Sequence, residues 1–273
     1  MNWYTYLDGL TVMVLMAACT WLFSLYKRDV SIVDTAWSLM FLGAAIVYIM
    51  SAEKIETITL VVFSLVAVWA LRLAIHISWR SWGEPEDRRY QAIRAKYEPH
   101  FSIKSLFIIF LFQAVLAWIV SLPLFAALTS ITTVSSNIIT MALISVAILL
   151  VLTGLFFESV ADWQLARFKR NPENKGKVMD QGLWKYSRHP NYFGECIIWW
   201  GFYLFALSSG GWWAIVSPLI MTWLLLKFSG VVMLEETIVE RRPAYAEYIK
   251  RTNAFIPGSV KRSKDDDFIE EHA

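Results

Sequence analysis

Within stretches apolar enough to sit in a membrane, this sequence keeps a set of ionisable side chains. Asp34 stands near the start of one apolar run, and Arg72 and His76, four apart, share a helical face in the next. Glu158 and Asp162, again four apart, close a later run, and Asn191 and Glu195 open the one after it. Glu235 and Glu236 close the last. Arg72 or Glu158 alone reads as an interhelical hydrogen-bonding residue, and Gln113 needs no more than that. Together, so many such groups at one depth are costly unless they line a wet or ligand-filled cavity. Burial raises a carboxyl pKa, so a carboxyl in such a cavity can keep a proton to donate at neutral pH.

A second set is cationic. Arg167, Lys169, Arg170, Lys175, Lys185, Arg188 and His189 crowd between two apolar runs, and Arg241 and Arg242 follow the last run. Their clustering favours a polyanionic ligand such as a nucleotide. The residue before a proline avoids the helical region, so a helix is expected to start at Pro190 or Asn191. The free N–H groups and partial positive charge of that helix end suit a phosphate. The plainer alternative is a basic loop resting on lipid headgroups.

The elements that must position these residues are membrane helices. The chain has 273 residues, 57% hydrophobic and 18% charged, with 14 Trp, a composition too apolar for a soluble domain. Apolar runs lie at about 7–26, 31–50, 58–79, 105–128, 138–160, 191–207 and 212–234, which predicts an all-α polytopic protein with seven spans. Lysine and arginine concentrate in the links 27–30, 80–104 and 167–190 and after residue 236, while the opposite links hold only Lys54. By the positive-inside rule the N-terminus is expected outside and the C-terminus in the cytoplasm. Residues 1–258 read as a single catalytic domain, and 259–273 as a charged, disordered tail. The N-terminus lacks the basic segment of a cleaved signal peptide. Cys19 and Cys196 fall in apolar runs and read as small buried hydrophobes. There is no Gly-rich dinucleotide fingerprint, P-loop, serine elbow or metal-ligand spacing, so no metal is expected. A transporter is disfavoured, because no symmetry-related pair of interrupted helices is visible.

Three segments together carry a resemblance. These are Gly182-Leu-Trp-Lys-Tyr-Ser-Arg-His-Pro-Asn-Tyr-Phe-Gly-Glu195, Asp162-Trp-Gln-Leu-Ala-Arg-Phe168, and Tyr245-Ala-Glu-Tyr248 running to Phe255-Ile-Pro257. They resemble the steroid 5α-reductase family, in its bacterial membrane branch, over about 155–258. The match is weaker over 30–95, through Ser31-Ile-Val-Asp34-Thr-Ala-Trp37 and Glu86-Asp-Arg-Arg-Tyr90. The resemblance implies a seven-helix enzyme of a bacterial inner membrane, its active site open to the cytoplasm, that uses NADPH to reduce the Δ4 double bond of a 3-oxo steroid or a similar enone taken from the bilayer. It implies no nucleic-acid partner and no obligate protein partner. Arg-His-Pro-x-Tyr-x-Gly also resembles the isoprenylcysteine carboxyl methyltransferases, which use S-adenosylmethionine; Asn191 and Glu195 favour the reductases.

By that resemblance Asp162 and Lys169 hold the adenosine end of NADPH, Asn191 and Glu195 lie beside the nicotinamide, and Tyr248 forms part of the C-terminal wall. Arg167, Arg170, Asn174, Tyr186, Ser187, Arg188, His189, Tyr192, Glu236, Arg241 and Tyr245 are expected around the same cofactor. The reductases' acid, a glutamate preceded by Gln, falls near Asp34, which no Gln precedes, and their partnering tyrosine falls near Trp69. Asp34 is therefore expected to polarise the substrate carbonyl, a contribution of ~3 kcal/mol by analogy with oxyanion donors, while Glu195 orients the nicotinamide.

Overall fold

The apolar runs fold as helices because a backbone in hydrocarbon must satisfy its own hydrogen bonds. The computed structural model describes residues 2–130, 137–228, 238 and 242–260. Among the described residues every regular element is helical and none is a strand. The order is α1 (Trp3–Lys27), α2 (Val33–Met50), α3 (Thr57–Ser81), α4 (Arg88–Tyr97) and α5 (Phe101–Ser105), which passes through a π-helical turn at Leu106–Leu111 into α6 (Phe112–Val120). Then come α7 (Leu122–Thr129), α8 (Ile138–Arg170), α9 (Pro190–Ser208), α10 (Val216–Trp223) and α11 (Tyr245–Arg251).

Among the described residues five helices are long and apolar enough to cross a membrane: Trp3–Lys27, Val33–Met50, Thr57–Ser81, Phe101–Val120 and Ile138–Arg170. The expected sixth run is α9, a helix of 19 residues that starts at Pro190. The expected seventh begins as the shorter apolar helix Trp212–Lys227, and its end lies outside the described residues. Two boundaries differ from the sequence expectation. The fourth run breaks at Ser121, because Pro123 in the first turn of α7 has no N–H to continue the ladder. The fifth does not stop at 160 but runs on to Arg170, so Arg167 and Lys169 ride on the helix rather than in a loop.

Two compact units share the chain: Met1–Ser145 with Phe202–Ser217, and Val146–Gly201 with Pro218–Ala273. In the first, aromatic groups pin the helices. Tyr6 Oη donates to the Trp118 carbonyl at 2.7 Å and Trp118 Nε1 donates back to the Tyr6 carbonyl at 2.8 Å. Tyr48 Oη and Ser121 Oγ are 3.0 Å apart. Ser38 Oγ donates to the Ala70 carbonyl at 3.0 Å, and Trp69 packs edge-on against Phe41 and Phe202.

In the second unit α8 and α9 approach closely. A Cβ on Gly194 would stand 2.7 Å from the Gly154 carbonyl and 2.8 Å from the Glu158 amide nitrogen, so the crossing depends on glycine. That contact is what brings Glu158 and Asp162 of α8 beside the first turn of α9. Cys196 is buried with its Sγ 3.3 Å from Thr222 Oγ1. Cys19, expected to be buried, is exposed on α1.

Candidate functional site

Three buried carboxylates gather the second unit's polar site: Glu158, Asp162 and Glu195 are 3%, 9% and 7% exposed. Asn191, in the first turn of α9, donates its Nδ2 to Asp162 Oδ1 at 3.1 Å, and its own Oδ1 accepts the Tyr192 N–H at 3.1 Å. One turn further, Glu195 Oε1 accepts from Trp199 Nε1 at 2.9 Å. The His189 ring stacks on Tyr192, with centroids 5.6 Å apart and planes within 11°. Proline at position 190 sets this geometry, since it ends the extended turn and begins the helix that presents Asn191 and Glu195 on one face.

The turn before α9 is locked from two sides. Trp184 Nε1 donates to the Ala161 carbonyl at 3.0 Å, and the Leu183 N–H donates to Gln164 Oε1 at 3.0 Å, both partners being on α8. From the C-terminal side, Ser187 Oγ donates to the Phe255 carbonyl at 2.7 Å and the Gly258 N–H to the Tyr186 carbonyl at 3.1 Å. The Arg188 guanidinium, 8% exposed, donates to the carbonyls of Ile249 (3.0 Å) and Thr252 (2.5 Å). Tyr248 Oη donates to the carbonyls of Trp184 and Ser187, and burial pushes that hydroxyl well above its ordinary pKa. Ser187, Arg188 and Tyr248 therefore hold the turn together; Tyr245 is buried edge-on against Tyr248, while Tyr186 is 46% exposed.

Further along the same unit, a cavity of about 260 Å³ is lined by Phe168, Lys169, Asn174, Lys175 and Arg242, with Leu165 and Met179 on its wall. Asn174 Nδ2 donates to the Phe168 carbonyl at 2.9 Å and Arg242 Nη1 to the Lys177 carbonyl at 2.7 Å. Two of the cations expected around the cofactor are not in this lining. Arg167 packs over the Trp163 ring at 5.5 Å, and Arg170, the last residue of α8, is not part of the lining. Lys175 and Arg242, which belong to the same cationic set in the sequence, do line it. Glu235, Glu236 and Arg241 lie outside the described residues.

The first unit has its own polar cluster, built around Asp34. Arg89 Nη2 donates to Asp34 Oδ2 at 2.7 Å, and Tyr90 Oη donates to Asp34 Oδ1 at 2.6 Å. Gln113 Nε2 donates to Tyr90 Oη at 3.2 Å, so this glutamine has a more specific partner than a generic interhelical bond. Burial, reinforced by the Asp34 charge, raises the Tyr90 hydroxyl well above its ordinary pKa. Although burial opposes it, the charges of Asp34 and Asp87 keep Arg89 firmly cationic. Beside this cluster Glu86 accepts the Val30 N–H at 2.9 Å and both Arg94 Nη2 (2.7 Å) and Nε (3.0 Å), which docks α4 over the start of α2. Burial works against the Glu86 charge, yet these bonds hold its carboxyl below the usual range. Sequence reasoning named Asp34 but passed over Tyr90, Arg89 and Glu86 as site residues. Their signal was the cluster of Glu86, Asp87, Arg89 and Tyr90 on one short helix start.

Trp69, standing near where the resemblance expects a tyrosine, is fully buried among aromatic rings. Among the described residues no group of three or more His, Cys, Asp or Glu is placed to hold a metal.

Comparison with known proteins places this architecture. An uncharacterized protein of Schizosaccharomyces pombe is 24% identical over 306 aligned positions, which cover 97% of this chain and 84% of the relative. No solved structure matches. The profile described as "Protein of unknown function (DUF1295)" matches residues 20–252. The chain belongs to the DUF1295 family, a membrane family related to the steroid 5α-reductases.

Proposed function

We propose that this protein is an NADPH-dependent reductase of the Δ4 double bond of 3-oxo-Δ4 steroids or similar lipophilic enones. In this proposal it crosses a bacterial inner membrane seven times, with its N-terminus outside and its site open to the cytoplasm. The observation that carries it is the Asp162–Asn191 contact with Glu195 one turn away, buried at the start of α9. That set fits a nicotinamide carboxamide, which offers one acceptor oxygen and one donor NH2. Asn191 has its oxygen and nitrogen fixed by Tyr192 and Asp162, so it meets the ligand in a set orientation. A buried carboxyl at Glu195, steadied by Trp199, can accept from the carboxamide NH2.

When bound, NADPH supplies the hydride that goes to the β-carbon of the enone. Negative charge then builds on the carbonyl oxygen and requires a hydrogen-bond donor. Asp34, the first choice from sequence, is engaged by Arg89 and accepts a hydrogen bond from the Tyr90 hydroxyl. The Tyr90 hydroxyl has one hydrogen and gives it to Asp34, so it can donate to the carbonyl oxygen only by exchanging Asp34 for that oxygen. We assign it the donor role by that exchange, with Asp34 holding the hydroxyl beforehand. The α-carbon takes its proton from water after the charge has been stabilised.

S-adenosylmethionine carries a sulfonium cation and no phosphate, and a cavity lined by Lys169, Lys175 and Arg242 suits it poorly. The test is NADPH oxidation by the purified protein with a panel of 3-oxo-Δ4 steroids and simpler lipophilic enones. Enone-dependent oxidation with reduction of the double bond supports the proposal. Methyl transfer to a lipophilic acceptor, without NADPH oxidation, overturns it.

A further inference from the structure

Gln113 is the second residue of α6, in an otherwise apolar stretch, and its Nε2 donates to Tyr90 Oη at 3.2 Å. Two anchors set the register that allows this contact. Before it in the chain, Phe101 is buried with the Arg94 guanidinium 4.4 Å from its ring centroid. After it, Trp118 exchanges hydrogen bonds with Tyr6. The π-helical turn Leu106–Leu111 lies between the two. Such a turn carries one residue more than an α-helical one and rotates everything after it by about 100° relative to an unbroken helix. Both anchors are met with Gln113 on Tyr90 in that register, and in an unbroken helix they would not be.

A phenolic oxygen has one hydrogen and two lone pairs. In Tyr90 the hydrogen goes to Asp34 and a lone pair takes the Gln113 N–H. Exchanging Asp34 for a carbonyl oxygen needs only a rotation of that hydrogen about the C–O bond, provided the phenolic oxygen stays where it is. A donor on the oxygen holds it there. The same donor stabilises the partial negative charge that the oxygen gains as its own hydrogen bond strengthens, which makes the hydroxyl a better donor. Burial and the Asp34 charge raise the pKa of the Tyr90 hydroxyl, and the Gln113 bond is one of the contacts that lower it. We propose that Gln113 is a positioning residue that holds the Tyr90 oxygen during the exchange and strengthens its hydroxyl as a donor. The proposal rests on the reductase reading and extends control of the donor to a side chain on α6.

The experiment compares the full chain in detergent with Gln113→Met and Gln113→Glu, reading turnover of a lipophilic enone, NADPH affinity and thermal stability. Gln113→Met keeps the length and removes the donor. Its turnover should fall about tenfold, the scale of one net hydrogen bond, with NADPH affinity unchanged. Gln113→Glu is nearly isosteric, and its pH profile decides the matter if Gln113→Met fails to fold. A protonated carboxyl can donate to the Tyr90 oxygen and an ionised one cannot. The charged groups of the cluster around it are Asp34 on α2, Asp87 and Arg89 at the start of α4, and the Glu86–Arg94 pair beside them. The carboxylates raise the pKa of the introduced group and the guanidinium groups lower it. Turnover of Gln113→Glu relative to wild type should be near one in acid and fall as pH rises through that pKa. Taking the ratio at each pH cancels the acid loosening of α4 through Glu86. A ratio that is flat with pH overturns the positioning role and leaves the reductase reading in place. Wild-type turnover in Gln113→Met, with only thermal stability lowered, does the same. Absence of enone-dependent NADPH oxidation in the wild-type protein overturns both.

Discussion

Asn191 on α9 donates its side-chain amide to Asp162 on α8 across 3.1 Å, joining two helices at the point where both bury a carboxylate. The bond fixes which end of the Asn191 amide faces away from α8. Asp162→Asn would leave two amides facing each other and scramble that orientation. The expected outcome is NADPH affinity lowered about tenfold, the cost of one hydrogen bond to a charged partner. Calorimetric titration checks it, with thermal stability of the unliganded variant as the folding control.

Tyr90 and Asp34 separate a donor from its support. Tyr90→Phe removes the hydroxyl and leaves the Asp34–Arg89 pair intact. Turnover should fall on the order of 100-fold, as when an oxyanion donor is deleted, with NADPH binding unchanged. Steady-state kinetics paired with cofactor titration measures both. Normal turnover in Tyr90→Phe would remove Tyr90 from the chemistry.

The docking of α4 is expected to depend on acid. Glu86 has a folded-state pKa below its ordinary value, so its bonds to Val30 and Arg94 contribute stability above the unfolded pKa. That stability is lost as pH falls through the depressed folded value. Hydrogen exchange in the α4 segment should accelerate as pH drops below the normal carboxylate range, after correction for intrinsic rates. Glu86→Gln should show fast exchange at every pH and no such step.

Arg188, expected around the cofactor, joins the turn before α9 to the C-terminal segment. Arg188→Met should destabilise the second unit by about 3 kcal/mol, the scale of hydrogen bonds from a charged donor to buried carbonyls. Arg188→Lys, which keeps the charge but not the paired geometry, should recover only part of that loss. Thermal unfolding read in the Trp fluorescence band follows both.

Much of the scaffold was legible in the chain because helices are local. The apolar runs, the start of α9 at Pro190 and the shared face of Asn191 and Glu195 all follow from spacing a few residues wide. The continuation of α8 to Arg170 was not, because its charged last turns look like a loop on hydropathy alone. Partners distant in sequence were also hidden. Nothing near Asp34 indicates that Arg89 and Tyr90 will close on it, nor does anything near Lys175 indicate Arg242. Arg188 shows the limit of reading charge as ligand affinity, since a guanidinium can equally cap buried carbonyls.

The most direct test of the proposed chemistry is the thermal stability of the detergent-purified protein with NADPH and with S-adenosylmethionine. A ligand that binds only the folded state raises the unfolding temperature by mass action, so the cofactor is identified without knowing the substrate. A reductase predicts a rise with NADPH and none with S-adenosylmethionine. A rise with S-adenosylmethionine alone would contradict it, and would give the pair of Asn191 and Glu195 a different ligand.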